Sequence, residues 1–295
     1  MAPTPVDATT AARDAARAPQ GPAVRVLHVS DLHFGKPAVP EQIEAIEEMI
    51  QAGHFGVVAI SGDVSQRALS GEMQRARAFI RRARQVSKVI VVPGNHDVKW
   101  WKAPLGFGDR KAIYETYRRF ISKELDCTLR VPGVTFVGLN TSHGVALHTL
   151  TWSLRDIGII GDLRRRQIEF ARREFAESPP DDARVIVMHH NPMKGELSGR
   201  HGVVNTKRVL GAFRELGVDV VLCGHDHQEA IHYVEHTKKG TIISTAGTVS
   251  NRSRGGRPSS LNVVTITRDA IEVVTRIWSE AEATFAPGPQ RSFER

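Results

Sequence analysis

The chain has 295 residues, 41% hydrophobic and 24% charged, with a net charge of +8 and a pI near 9.8. These proportions are ordinary for a soluble globular protein of one large or two small domains. Cys127 and Cys223 are too few for a disulfide framework or a cysteine metal site, and they fit a reducing, cytoplasmic setting. No run approaches eighteen uninterrupted apolar residues, so no transmembrane helix is expected.

Residues 1–22 are rich in Ala, Pro, Thr and Asp and have no apolar h-region, so they read as a disordered tail. Five apolar runs then follow, each leading into polar residues. Val24–Val29 precedes Asp31-Leu32-His33, Val57–Ile60 precedes Gly62-Asp63, and Val89–Val92 precedes Gly94-Asn95-His96-Asp97. Further on, Val185–Met188 precedes His189-His190, and Val218–Leu222 precedes Gly224-His225-Asp226-His227. Continuous apolar runs of this length suit strands buried on both faces, and ligands of open α/β sheets lie outside the carboxyl ends of such strands.

Between the runs the apolar period becomes helical. Ile43, Ile46, Met49 and Ile50 make one stripe, and similar stretches span 70–86, 110–124, 163–177 and 206–216. The alternation predicts an α/β sandwich. The late runs Thr241–Thr245, Leu261–Thr267 and Ile271–Ile277 read as antiparallel strands of a second sheet, and 281–295, with two prolines and a glycine, as a loose tail. The prospective ligands extend from Asp31 to His227, so one domain over 23–280 is expected.

Carboxylate, amide and imidazole ligands together suit Mn, Fe, Zn or Co better than an all-oxygen calcium or magnesium site. Seven or eight ligands are too many for one ion. They fit a pair at roughly 3.5–4 Å, the arrangement that clamps the attacking and leaving oxygens of a phosphoryl displacement.

In this order the motifs D-x-H, G-D, G-N-H-D, H and G-H-x-H resemble those of the calcineurin-like metallophosphoesterases, over about Val24 to Ile277. The resemblance implies a four-layer α/β/β/α sandwich and two divalent or mixed-valence transition metal ions. It places one ion on Asp31, His33, Asp63 and His227 and the other on Asp63, Asn95, His189 and His225, with Asp63 bridging. A hydroxide between the ions would attack phosphorus, and His96 would protonate the leaving oxygen or stabilise charge on the phosphoryl group.

The motif run most resembles bacterial class III cyclic-nucleotide phosphodiesterases, which implies a small phosphoester substrate and phosphodiester hydrolysis. Phosphomonoesters, phospholipids and nucleic acids remain alternatives. So does a non-enzymatic role as a metal-containing module that binds a phospholigand. Basic runs at Arg81–Arg84, Arg164–Arg166 and Arg172–Arg173 admit nucleic acid as a partner, although such runs more commonly form solvated helix faces.

Other residues have two readings. Asp97 and Asp226 either orient neighbouring imidazoles or make turn hydrogen bonds. His190 shapes the loop after the ligand strand, and His28 packs within the first strand. His143 could face substrate. Arg252 and Arg254, with Arg257, either close over an anion or form an ordinary basic hairpin loop. Trp100 and Trp101, in an aromatic insertion that also carries Phe107, Tyr114 and Tyr117, either line a substrate pocket or pack a helix over Tyr114–Leu125.

Overall fold

The computed structural model describes residues 23–102, 109, 111–144, 160–193, 202–236 and 239–295. The expected N-terminal tail over 1–22, Phe107, and the first residue of the 110–124 helix lie outside these.

Two six-stranded sheets face each other. In the first, β1 (Val24–Val29), β2 (Val57–Ile60) and β3 (Lys88–Val91) run parallel. β10 (Ser260–Ile266), β11 (Ala270–Ser279) and β12 (Thr284–Glu294) continue that sheet antiparallel, in the order β12-β11-β10-β1-β2-β3. The second has the order β4-β5-β6-β7-β9-β8. It comprises β4 (Cys127–Val131), β5 (Val134–Leu139), β6 (Ala183–His190), β7 (Val220–Gly224), β8 (Ala230–Glu235) and β9 (Gly240–Thr245).

The strands are apolar on both faces because each sheet is covered twice. Val26, Val57, Ile90, Phe136, Val185 and Leu222 fill the space between the sheets. Leu27, Val58 and Ile60 face α1 (Pro40–Ala52) and α2 (Ser70–Ala83), whereas Val137, Ile186 and Val221 face α4 (Arg165–Ala176) and α5 (Thr206–Glu215). These are the four layers α/β/β/α.

Three expectations are corrected. The late strands do not form a sheet of their own: β9 pairs parallel with β7, while β10 pairs antiparallel with β1. Nor is 281–295 loose. β12 pairs with β11 from Ala270↔Glu294 to Ser279↔Thr284, with Phe285 buried against Trp278, so the folded unit extends past 280. The prolines and glycine that suggested a tail fall beside the register shift between Val274 and Arg276, on an edge strand, where missing ladder donors are tolerated. The insertion helix is also shorter than expected, a 3₁₀ turn at Ala112–Tyr114 leading into α3 (Glu115–Phe120).

Candidate metal centre

Five of the seven expected ligands have left-handed backbone conformations: Asp31 (φ 55°), His33 (46°), Asp63 (50°), His225 (74°) and His227 (54°). Each such non-glycine residue costs on the order of 1–3 kcal/mol, and such strain concentrates at functional sites. Backbone hydrogen bonds hold these turns, from Asp31 N–H to the Gly62 carbonyl (3.1 Å) and from His33 N–H to that of Asp63 (2.9 Å). Two glycines permit the close approach. A Cβ on Gly94 would collide with Asp63, and one on Gly224 with Ser30 and Asp31.

The strand ends bring the seven residues into two donor sets. In the first, Nε2 of His227 lies 3.1 Å from Oδ1 of Asp31 and 3.1 Å from Nε2 of His33, which is 3.6 Å from Asp31 Oδ1 and 3.9 Å from Asp63 Oδ2. In the second, Oδ1 of Asn95 is 3.0 Å from His189 Nε2 and 3.1 Å from His225 Nδ1. These two nitrogens are 3.3 Å apart, and His189 Nε2 is 3.4 Å from Asp63 Oδ2. One oxygen, Asp63 Oδ2, belongs to both sets.

These spacings fit cations. Four ligands at about 2.0–2.2 Å from a tetrahedral ion are separated by about 3.4 Å. Oδ1 of Asp31 is buried without a hydrogen-bond partner, whereas Oδ2 accepts from the Ser30 hydroxyl (2.6 Å) and the His225 N–H (3.0 Å). Similarly, Asp63 Oδ1 accepts from the His96 N–H (2.7 Å), leaving Oδ2 for the ions.

The surrounding groups set the tautomers. Nδ1 of His189 donates to the Ser61 carbonyl (2.8 Å) and Nδ1 of His227 to that of Arg252 (2.9 Å), which leaves each Nε2 lone pair directed at the cluster. Burial alone would raise the carboxyls of Asp31 and Asp63. The adjacent imidazoles reverse this and hold both well below the ordinary range. Burial would lower His189, yet Asp63 raises it to about 10. A proton on His189 and a bound cation therefore compete for one lone pair.

Asp97 and Asp226 lie outside both donor sets. Asp97 accepts from the N–H groups of Gly94 (2.9 Å) and Ser65 (2.8 Å), tying the second and third ligand turns together. Burial and the Asp63 charge push its carboxyl up to about 7. Asp226 accepts from Asn191 Nδ2 (2.8 Å). His190 stands closer to the cluster than expected, its ring 4.5 Å from that of His225, with Nδ1 2.7 Å from the Thr141 hydroxyl. His28 pairs with the Ser61 hydroxyl (2.9 Å), and burial pushes it down to about 3.

The His96 ring lies 4.9 Å from that of His33, beside the first donor set. Its Nδ1 is 2.8 Å from the Gln66 carbonyl and its Nε2 3.1 Å from Nη1 of Arg252. Of the basic loop, Arg252 thus reaches the site, Arg257 pairs with Glu229 (2.7 Å), and Arg254 influences Asp226 electrostatically. His143 is buried apart from the donor sets, with its nitrogens 3.1 Å from Tyr114 Oη and 3.1 Å from Gln167 Oε1. Trp100 and Trp101 are 40% and 50% exposed and meet edge to face in a 3₁₀ turn over Trp100–Lys102. Gln66, Ser61 and Thr141 carried no signal in the sequence, because their part is played by backbone carbonyls or one hydroxyl.

Residues 24–229 match the family model for calcineurin-like phosphoesterase. No curated protein sequence matches the chain. Among solved structures it is similar to a purple acid phosphatase from yellow lupin (Lupinus luteus) seeds, with a TM-score of 0.67 and 13% identity over 94% of this chain and 54% of that one. It thus spans about half the length of the lupin enzyme. It is also similar to PhoD (TM-score 0.63, 12% identity, 94% of this chain and 71% of that one). The GAP50 anchor of the Plasmodium inner membrane complex gives a TM-score of 0.53 at 12% identity, covering 92% and 88%. At such identities the likeness concerns the fold.

Proposed function

The chain belongs to the calcineurin-like phosphoesterase family, and from that membership we propose that it hydrolyses small phosphodiesters, cyclic nucleotides among them. The observation that carries this reading is the single oxygen, Asp63 Oδ2, lying between the two donor sets. Two cations bound there supply Lewis acidity towards a phosphoryl oxygen and activate water at neutral pH.

The remaining steps fall to side chains of this protein. The Nδ1–H of His96 is held by the Gln66 carbonyl, so Nε2 is the atom that exchanges a proton with the leaving oxygen. Arg252 approaches from the opposite loop, and its guanidinium suits a non-bridging phosphoryl oxygen. Binding of a phosphoryl group would divert that donor from His96. Cyclic nucleotides are favoured by the motif run from Leu27 to Asp97 together with the exposed indoles of Trp100 and Trp101, which offer faces to a base.

The test is turnover of bis(p-nitrophenyl) phosphate by Mn²⁺-loaded protein, beside p-nitrophenyl phosphate and cyclic AMP. Faster cleavage of the diesters supports the proposal, and preference for the monoester makes the protein a phosphomonoesterase. Two bound ions with no turnover of any ester would identify a binding module instead.

A further inference from the structure

The fold gathers basic side chains from separate stretches of sequence away from the metal donors. Arg77, Arg81 and Arg84 follow one another at i, i+4 and i+7 along α2 and its C-terminal cap, on a single helix face. Arg118 and Arg119 of α3, and Lys123 just beyond it, face them across a cavity of about 290 Å³. Among the described residues no carboxylate lines this cavity, and none is within ion-pair distance of these six cations. Arg82, on another face of α2, is by contrast paired with Glu47.

Arg118 also lines a second cavity, of about 390 Å³, with Lys111, Arg164 and Arg166. The two cavities therefore adjoin. Aromatic rings stiffen the junction, Tyr114 lying 5.6 Å from the Arg118 guanidinium and Phe120 5.2 Å from that of Arg119. Hydrogen bonds connect the second cavity's wall to a ligand turn: Tyr114 Oη donates to the Ser142 carbonyl (2.8 Å), and the Ser142 hydroxyl to the carbonyl of Pro93 (3.3 Å), immediately before the Gly94–Asp97 turn.

Like charges at i and i+4 destabilise a helix by a few tenths of a kcal/mol, and this face carries them without counter-charges. We infer that the paired cavities form a groove that binds the phosphate backbone of a nucleic-acid strand. These side chains are exposed around a concavity, into which a flexible strand can curve so that successive phosphates meet them in turn, whereas the flat charged plane of a membrane cannot follow a concave surface. Binding here is separate from hydrolysis at the metal centre and does not depend on which ester that centre cleaves.

Fluorescence anisotropy of metal-loaded protein with a labelled phosphorothioate oligonucleotide of about 20 residues, which resists cleavage, tests the groove. Affinity should fall with salt, each phosphate contact contributing about 0.7 to the logarithmic slope for single strands. The double variant R81E/R118E should bind at least about tenfold more weakly with a slope smaller by roughly 1.4. R268E, which reverses an exposed cation paired with Asp181 elsewhere, should bind as wild type. Equal weakening by R268E, or no binding at about 0.15 M salt, would overturn the inference. So would displacement of the oligonucleotide by phosphatidylserine vesicles or inorganic polyphosphate, at equal phosphate, more readily than by unlabelled strand. Should the double variant melt at lower temperature than wild type, the neutral single variants R81Q and R118Q provide the same comparison.

Discussion

Nη1 of Arg252 lies 3.1 Å from Nε2 of His96 and 3.1 Å from Oε1 of Gln66. A guanidinium only donates, so Nε2 is an acceptor here and the imidazole carries its proton on Nδ1. The same residue acts through its backbone, since the Arg252 carbonyl fixes the tautomer of His227. Arg252→Ala keeps that carbonyl. It should retain both metals while lowering kcat/KM for a diester roughly 10- to 100-fold, as expected for one hydrogen bond from a charged donor. Arg252→Lys should recover part of the loss. Metal analysis beside steady-state kinetics checks this, and unaltered kcat/KM in the alanine variant would remove Arg252 from the site.

His96 contributes its backbone N–H to Asp63, and in the proposed function its side chain exchanges the leaving group's proton. His96→Ala preserves the first and deletes the second. Metal content should therefore stay at two equivalents, while kcat falls roughly 10²- to 10⁴-fold. Loss of metal from this variant would instead make the imidazole a support of the cluster.

Asp63 behaves differently because a single oxygen serves both donor sets. Asp63→Ala leaves Asp31 as the only carboxylate among the six remaining donors, with two cations facing each other. Both ions should be lost together. Mass spectrometry under native conditions distinguishes this from stepwise loss, and a variant holding two equivalents would exclude the bridge.

The metal donors were legible in the sequence because each follows an apolar run, and a strand end converts position in the chain into position in space. The α/β alternation followed from the same runs, and the four layers from the resemblance that the motifs carry. Sheet membership was less readable, since β10 and β11 alternate much as they would in a separate antiparallel sheet, and only pairing with β1 decides the matter. β12 was obscured by Pro287, Gly288 and Pro289, residues that an edge strand with a register shift accommodates. The neighbours of His96 and His189 were hidden for another reason: the carbonyls of Gln66 and Ser61 act through the backbone, which every residue possesses.

His143 supplies a pH test. Burial pushes its pKa down from 6.5 to about 3, so between these values the unfolded chain binds a proton that the folded protein refuses. Stability from this group is complete above about pH 6.5 and declines as pH falls, by up to about 1.4 kcal/mol per pH unit, levelling off near pH 3. His143→Gln removes the titration. The stability of the glutamine variant relative to wild type, from urea unfolding at matched pH values, should rise as pH decreases through that window. Parallel pH profiles would show that His143 is protonated in the folded protein.

Under the proposed function, Trp100 and Trp101 are the residues that choose substrate beyond the phosphoryl group. Both indoles are among the few large apolar side chains left exposed among the described residues, and they follow the Gly94–Asp97 turn by three and four residues. A ring that packs the fold is buried, as Tyr117 is. Truncating these two should consequently cost less stability than truncating a fully buried ring, because Trp100 keeps 40% and Trp101 50% of its surface in water. If they stack on a base, Trp100→Ala and Trp101→Ala should each raise KM for a cyclic nucleotide several-fold, in keeping with about 1–3 kcal/mol for base stacking on an aromatic ring. Turnover of bis(p-nitrophenyl) phosphate should remain nearly unchanged, since in the proposed function its reacting centre meets the metal donors, His96 and Arg252 and not the indoles. Equal losses on both substrates, or a marked drop in melting temperature, would assign the indoles to the fold.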